Sequence, residues 1–247
     1  MKMKREGRCN RISLAVYTFV FMVSGLLLLA FGINLYVKEG PFATLLPSFP
    51  FLNAANLIII IGTIVLCVSI IGCVGAWKEN TCLLVTFFMS LFVIFLLEMM
   101  AGYLGFVYRN QVERFVMEEL TTHGLQRYGQ RGEAGLTSAW DRMQTMLMCC
   151  GVDQSSDWHM FTPYYGQGQT PDSCCFSYNV GCGDNPSEEK WYMGCRESLI
   201  MEIEGNIDVI TIVAICVALL EVLGMCLSYC LYKSLREKTD QGDDLSI

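Results

Sequence analysis

The chain is poor in charge, in histidine and in proline. Charged side chains make up 17% of its 247 residues, with only two histidines and six prolines, whereas a soluble globular domain carries about a quarter charged residues. No nucleophile motif, Gly-rich phosphate loop or spaced set of metal ligands occurs, so the chain is expected not to be an enzyme. No usable N-glycosylation sequon occurs either, because Asn185 is followed by Pro186. The charge that is present sums to -7, which argues against a nucleic-acid partner and against a basic membrane-surface binder.

Hydrophobic residues reach 53% and the mean hydropathy is +0.41, the composition of a membrane protein. No charge interrupts the 26 positions between Arg11 and Lys38, and a helix needs roughly 20 apolar residues to cross the hydrocarbon layer. This predicts a first span over 12–35. The run exceeds the roughly 7 to 15 apolar residues of a cleaved signal peptide. Pro41, Pro47 and Pro50, with Asn53 and Asn56, confine the second span to 57–77. A third span covers 83–107, broken only by Glu98, and a fourth 209–232, broken only by Glu221.

Four spans place both termini on one side. Residues 1–11, 78–82 and 233–247 hold nine of the 17 Lys and Arg residues, so the positive-inside rule puts them in the cytosol. Outside lie a small loop, 36–56, and a large one, 108–208. Up to Ile207 the large loop carries seven basic and fourteen acidic residues, which accounts for the net charge of -7. The fold class is therefore an all-α integral membrane protein, a four-transmembrane-helix bundle with a helical large extracellular loop.

The thirteen cysteines divide by compartment. Cys149, Cys150, Cys174, Cys175, Cys182 and Cys195 lie in the large loop. An even number in an oxidising compartment reads as three disulfides, with about 15 pairings open. A zinc site is a weak rival, since the loop has no C-x2-C pair and His123 and His159 sit at no ligand spacing. Of the other seven, Cys9, Cys73, Cys82 and Cys230 fall at the cytosolic boundary, the position for reversible S-palmitoylation. Cys67 and Cys216 read as small buried hydrophobes.

Apolar residues recur at helical spacing in the large loop: Val112, Phe115, Val116 and Leu120; Leu136, Trp140, Met143 and Leu147; and Leu199, Ile203, Ile207 and Ile210, which run into the fourth span. They predict three amphipathic helices in a small outer bundle continuous with the membrane. Between them, Gly151 to Gly194 is too rich in Gly, Ser, Asp, Pro and Tyr to hold itself closed without bridges. Phe161, Tyr164, Tyr165, Trp191 and Tyr192 are candidate partner-binding anchors there, while Trp158 is the first assigned to a miniature core. Small residues repeat every seven positions, Thr18, Gly25 and Gly32 on the first span and Gly62, Ser69 and Ala76 on the second, predicting a close left-handed pair.

Glu98 and Glu221 are costly in a bilayer. Three roles compete for them: helix-to-helix hydrogen bonding, a proton or ion path, and a polar contact for a lipid in a cavity. Isolated carboxyls without a basic or histidine relay make a poor path. Two tail motifs carry weaker signals, the Y-x-x-hydrophobic pattern Tyr232-Lys-Ser-Leu235, which lies against the bilayer, and Leu245-Ser246-Ile247, which could add to a PDZ-type groove.

Taken together, the Cys149-Cys150-Gly151 triplet, the Pro171-Asp172-Ser173-Cys174-Cys175 motif, Cys182 and Cys195, and Gly72-Cys73-Val74-Gly75-Ala76 leading to Lys78-Glu79-Asn80-Thr81-Cys82 resemble the tetraspanin family over essentially the whole chain. Glu98 and Glu221 fall where that family keeps polar residues. One departure is Thr18, which stands where the family usually has asparagine and offers a hydroxyl in place of an amide. The resemblance implies the pairs Cys149–Cys195, Cys150–Cys174 and Cys175–Cys182, and cholesterol binding near Thr18 and Glu221, with palmitate as the covalent lipid. It also implies a non-enzymatic membrane organiser at the plasma membrane and in endosomes, which associates laterally with integrins, immunoglobulin-type receptors or other tetraspanins and affects adhesion, migration and trafficking. A four-span channel or junction protein is the alternative.

Overall fold

A computed structural model describes residues 2–39, 54–162 and 165–244, with side chains for 10–37, 55–162 and 165–238. Residues 40–53 of the small loop, with its three prolines, Tyr164, the Cys9 side chain and the Leu245-Ser246-Ile247 ending lie outside these residues. Among the described residues the structure is helical, with one isolated antiparallel bridge between Cys175 and Lys190. The chain divides into two compact units: a span unit of residues 1–31, 58–107 and 211–247, and an outer unit centred on residues 108–210.

Four long helices are apolar enough to cross a membrane: α1 (Lys2–Glu39), α2 (Ala54–Lys78), α3 (Thr81–Val107) and α9 (Ile207–Asp244). No proline falls within any of them, so each keeps an unbroken hydrogen-bond ladder, as hydrocarbon requires. Most of their side chains, such as Val20, Leu27, Ile60 and Phe106, are exposed on the protein, which suits contact with lipid.

Inside the span unit, the seven-residue stripes face inward. Thr18, Gly25, Gly62, Ser69 and Ala76 are all buried. A Cβ on Gly25 would sit 2.9 Å from the Leu66 backbone nitrogen, and one on Gly62 would sit 3.0 Å from that of Leu29. Two backbones this close gain dispersion energy that larger residues would forbid. Phe87 fills the space over Gly72, and Leu14, Ala76, Leu84, Leu91, Leu231 and Leu235 complete the buried cluster.

The α2–α3 turn is only two residues. Glu79 takes a left-handed φ of 51°, and Asn80 caps α3, its Oδ1 accepting from the Cys82 and Leu83 N–H groups at 3.0 and 3.3 Å. Arg11 ties α1 to this turn by donating to Glu79 and to the Trp77 carbonyl, both at 2.9 Å.

The outer unit comprises α4 (Arg109–Glu119), a π-helical turn (Leu120–Gly124), α5 (Leu125–Arg127), α6 (Ala134–Leu147), α7 (Asp157–Phe161), short 3-10 turns at Asp172–Cys174 and Cys182–Asp184, and α8 (Cys195–Gly205). Its core is Met117, Leu120, Leu125, Tyr128, Leu136, Trp140, Val152 and Trp158 with two of the cysteines. Trp158 stands edge-on to Trp140 and Tyr128, ring centres 5.5 and 4.8 Å apart, an arrangement aromatic quadrupoles favour.

Two expectations are corrected here. Val112 and Phe115 are exposed, and the buried face runs through Met117, Leu120 and Leu125. Beyond Leu120 the π-helical turn inserts a residue and carries the buried face on to Leu125, a step that a constant 3.6-residue period does not follow. The helices are also not continuous with the spans. Tyr108 separates α3 from α4, and Asn206 separates α8 from α9, its side-chain amide donating to the Glu202 carbonyl at 2.8 Å.

Candidate functional site

The first candidate surface is the braced end of the outer unit. Three disulfides hold it: Cys149–Cys195, Cys150–Cys174 and Cys175–Cys182. Met148 ends α6 in a left-handed conformation. The next glycine, Gly151, has a φ of 71°, and a Cβ there would meet the Gln154 carbonyl at 2.0 Å, so only glycine fits. The released N–H groups of Val152, Asp153 and Gln154 all donate to Asp157 Oδ2, at 2.9, 2.7 and 3.1 Å. This carboxylate starts α7 and so places Trp158 in the core.

The Pro171–Cys175 motif has a job for each polar side chain. Asp172 accepts from the Gly181 and Gly183 N–H groups, each at 2.9 Å, shaping the loop closed by Cys175–Cys182. Ser173 donates to Asp141 at 2.9 Å, which also accepts from the Tyr128 hydroxyl at 2.7 Å. Gln144, wholly buried on α6, is satisfied with its amide nitrogen donating to Ser173 at 2.8 Å and its oxygen accepting from Trp158 Nε1 and the Gly151 N–H, both at 3.1 Å. This network joins α6, the triplet and the motif around the Cys150–Cys174 bridge.

Burial raises the Tyr128 phenol, helped by its hydrogen bond to Asp141. Tyr165 is pushed up to about 12, by burial first and then by the negative field of Asp141, Asp184 and Asp172. Burial pushes the Lys190 amine down, and its Nζ donates to the Gly168 and Gly183 carbonyls. Asp172, Cys175 and Cys182 group their ligand atoms within 4.8 Å, but the bridge occupies both sulfurs and leaves no thiolate for a metal.

Of the five candidate anchors, Tyr192 is 87% exposed and Phe161 is exposed. Tyr165 and Trp191 are instead packed against the core. Tyr165 stands edge-on to Trp158, and Trp191 leans on Phe176 at 4.6 Å, because a small domain recruits its aromatics inward. Sequence reasoning missed Phe176, Tyr178 and Val180, which are exposed together on the loop closed by Cys175–Cys182. Their signal is three large apolar residues inside a loop whose cysteines are only seven positions apart, too short to fold over them.

The second candidate is a cavity of about 350 Å³ within the span unit, lined chiefly by carbon from Tyr17, Phe21, Val65, Leu91 and Leu220, with Thr18 and Glu221 among its walls. Thr18 donates to the Leu14 carbonyl and Tyr17 to that of Leu220, each at 2.9 Å. The Glu221 side chain lies near that of Glu98 from α3. Oε2 of each is buried with no partner. The arrangement suits an apolar ligand carrying one hydroxyl.

Cys82 and Cys230 are exposed and Cys73 is half-buried. Cys67 and Cys216 are exposed on the span surfaces, which corrects their reading as buried hydrophobes: both sit on helix faces turned away from the packing stripes. The sorting pattern is structural, since Leu235 is in the buried cluster and the Tyr232 hydroxyl accepts from Arg236 at 3.2 Å.

Four apolar helices and an extramembrane domain stapled through a C-C-G triplet define a multi-pass membrane protein. The profile of the Tetraspanin family matches residues 11–234. The chain is 38% identical to human Tetraspanin-4 over 216 residues, 87% of this chain and 89% of that protein. It is 38% identical to Tetraspanin-9 of Salmo salar, covering 92% and 93%, and 39% identical to that of Sus scrofa, covering 95% and 97%. The chain belongs to the tetraspanin family, and membership supports a general role in organising membranes by lateral association with other membrane proteins.

Proposed function

We propose that the chain is a non-enzymatic organiser at the plasma membrane, with an endosomal pool and both termini cytosolic. It binds partner membrane proteins through the braced end of its outer unit and so influences adhesion, migration and trafficking. Integrins, immunoglobulin-type receptors and other tetraspanins are the partner classes, by family analogy. The carrying observation is the exposed apolar group of Phe176, Tyr178, Val180 and Tyr192 on a disulfide-held scaffold, the form of a preorganised interface anchor. Palmitate on Cys9, Cys73, Cys82 and Cys230, and cholesterol in the cavity at Thr18 and Glu221, hold the assemblies together. The apolar walls of that cavity favour a lipid over the water path that a channel needs.

Co-purification in mild detergent, read by mass spectrometry, tests the reading. A defined membrane partner should be recovered with the intact protein and lost on replacing residues 152–194 by those of another tetraspanin. Recovery unchanged by the swap, or ion conductance in a reconstituted bilayer, would overturn it. For the sterol, Glu221→Ala should abolish photo-crosslinking to a cholesterol analogue.

A further inference from the structure

A second apolar groove, of about 280 Å³, lies between α3 and α9, separate from the cavity at Glu221. Its walls are Val85, Phe88 and Met89 on one side and Ser228, Tyr229 and Tyr232 on the other. The buried Ser228 hydroxyl donates to the Leu84 carbonyl at 3.0 Å, which pins the walls together and spends the one small polar group among them. The groove lies at the α2–α3 turn end of the span unit, since Leu84 is in the first turn of α3.

Its α9 wall changes character within one turn. Tyr229, Tyr232, Lys233 and Arg236 follow the i, i+3, i+4, i+7 spacing of a single helix face. Arg236 Nη1 donates to the hydroxyl of Tyr232, itself a groove residue, at 3.2 Å, which holds the guanidinium at the mouth. That bond uses one of its five N–H donors, and Lys233 stands exposed beside it. Glu237, the nearest acid in sequence, is turned about 100° round the helix from Arg236.

An apolar slot with a guanidinium and an ammonium at its mouth is complementary to one kind of membrane molecule. We infer that the groove between α3 and α9 binds an anionic phospholipid, with an acyl chain along Val85, Met89 and Tyr229 and the phosphate on Arg236, assisted by Lys233. A guanidinium matches phosphate oxygens in a paired geometry that neutral lipid headgroups do not reward. A sterol would leave both cations unused. That the site serves the leaflet where anionic lipids concentrate rests on the cytosolic orientation proposed above.

The full-length protein, reconstituted in nanodiscs of equimolar phosphatidylcholine and phosphatidylserine, tests this by native mass spectrometry of the lipids retained on release. Phosphatidylserine should be retained about fivefold over phosphatidylcholine, the factor for roughly 1 kcal/mol from one surface cation. Arg236→Gln should abolish that preference, Arg236→Lys should restore most of it, and Met89→Trp, which fills the slot, should remove retention of both lipids while thermal melting stays that of the parent. Equal retention of the two lipids, or a preference unchanged in Arg236→Gln, would overturn the assignment. So would retention that appears only in Cys82→Ser, which would give the groove to an acyl chain on Cys82. Both leaflets of these discs are alike, so the result does not depend on orientation, which terminal epitope accessibility in intact cells decides separately.

Discussion

The span unit and the outer unit solve the same packing problem with opposite materials. In the spans, close approach does the work: Gly25 and Gly62 let backbones meet where a single Cβ would intrude to 2.9 or 3.0 Å. In the outer unit, three bridges and a buried network of Gln144, Ser173, Asp141 and Tyr128 hold a segment whose composition could not close itself. Hydrocarbon already forces a helix to satisfy its own backbone, so a span needs only a fitting surface. Water competes for every loop amide, so the outer unit needs covalent and polar constraints.

The sharpest way to break the contrast is to remove a bridge. Cys150→Ala with Cys174→Ala should cost about 2 to 5 kcal/mol of outer-unit stability. Hydrogen exchange should show protection lost across 125–195 and kept across 58–107. If protection falls equally in both, the units do not differ as argued. The reciprocal change is Gly25→Leu, which overpacks the α1–α2 contact at a cost of about 1 to 3 kcal/mol. It should lower the melting temperature of the spans in detergent while all three disulfides still form, as mass mapping without reduction would show.

The same contrast explains what was legible in the sequence. The spans could be read because one physical rule, an apolar run of sufficient length, decides them, and the small-residue stripes because their period is fixed by helix geometry. The outer helices were legible only in part. Leu136 and Trp140 occupy the predicted buried face but Val112 and Phe115 do not, and the step of the buried face from Leu120 to Leu125 could not be read because the π-helical turn at 120–124 has no signature in residue type. The polar network was invisible, since nothing local in Gln144 distinguishes a buried amide from a solvated one. Tyr165 and Trp191 were read as anchors for a related reason: an aromatic on a loop looks the same whether it faces a partner or Trp158.

Smaller changes probe the network without cutting a bridge. Gln144→Leu keeps the volume roughly constant but strands the Trp158 indole N–H and the Gly151 N–H and takes a donor from Ser173. A cost of about 1 to 3 kcal/mol is expected for buried groups left unpaired, read as a lower melting temperature of the outer unit. Were the loss no larger than that of Gln154→Leu on the surface, the network would be incidental to the fold.

The smallest effect concerns pH. Tyr128 and Tyr165 both have phenols raised by burial, Tyr165 to about 12, so the folded outer unit favours their protonated forms relative to the unfolded chain, where tyrosine titrates near 10. Their contribution is therefore complete at neutral pH, declines as pH rises above about 10, and is gone once the folded values are passed. Tyr128→Phe removes the hydroxyl that donates to Asp141 and should cost about 1 kcal/mol at neutral pH. It should also flatten the alkaline decline, whereas Tyr192→Phe, at an exposed position, should leave the slope unchanged. Melting temperature against pH distinguishes the two variants. A slope that Tyr128→Phe leaves intact would place the alkaline sensitivity elsewhere.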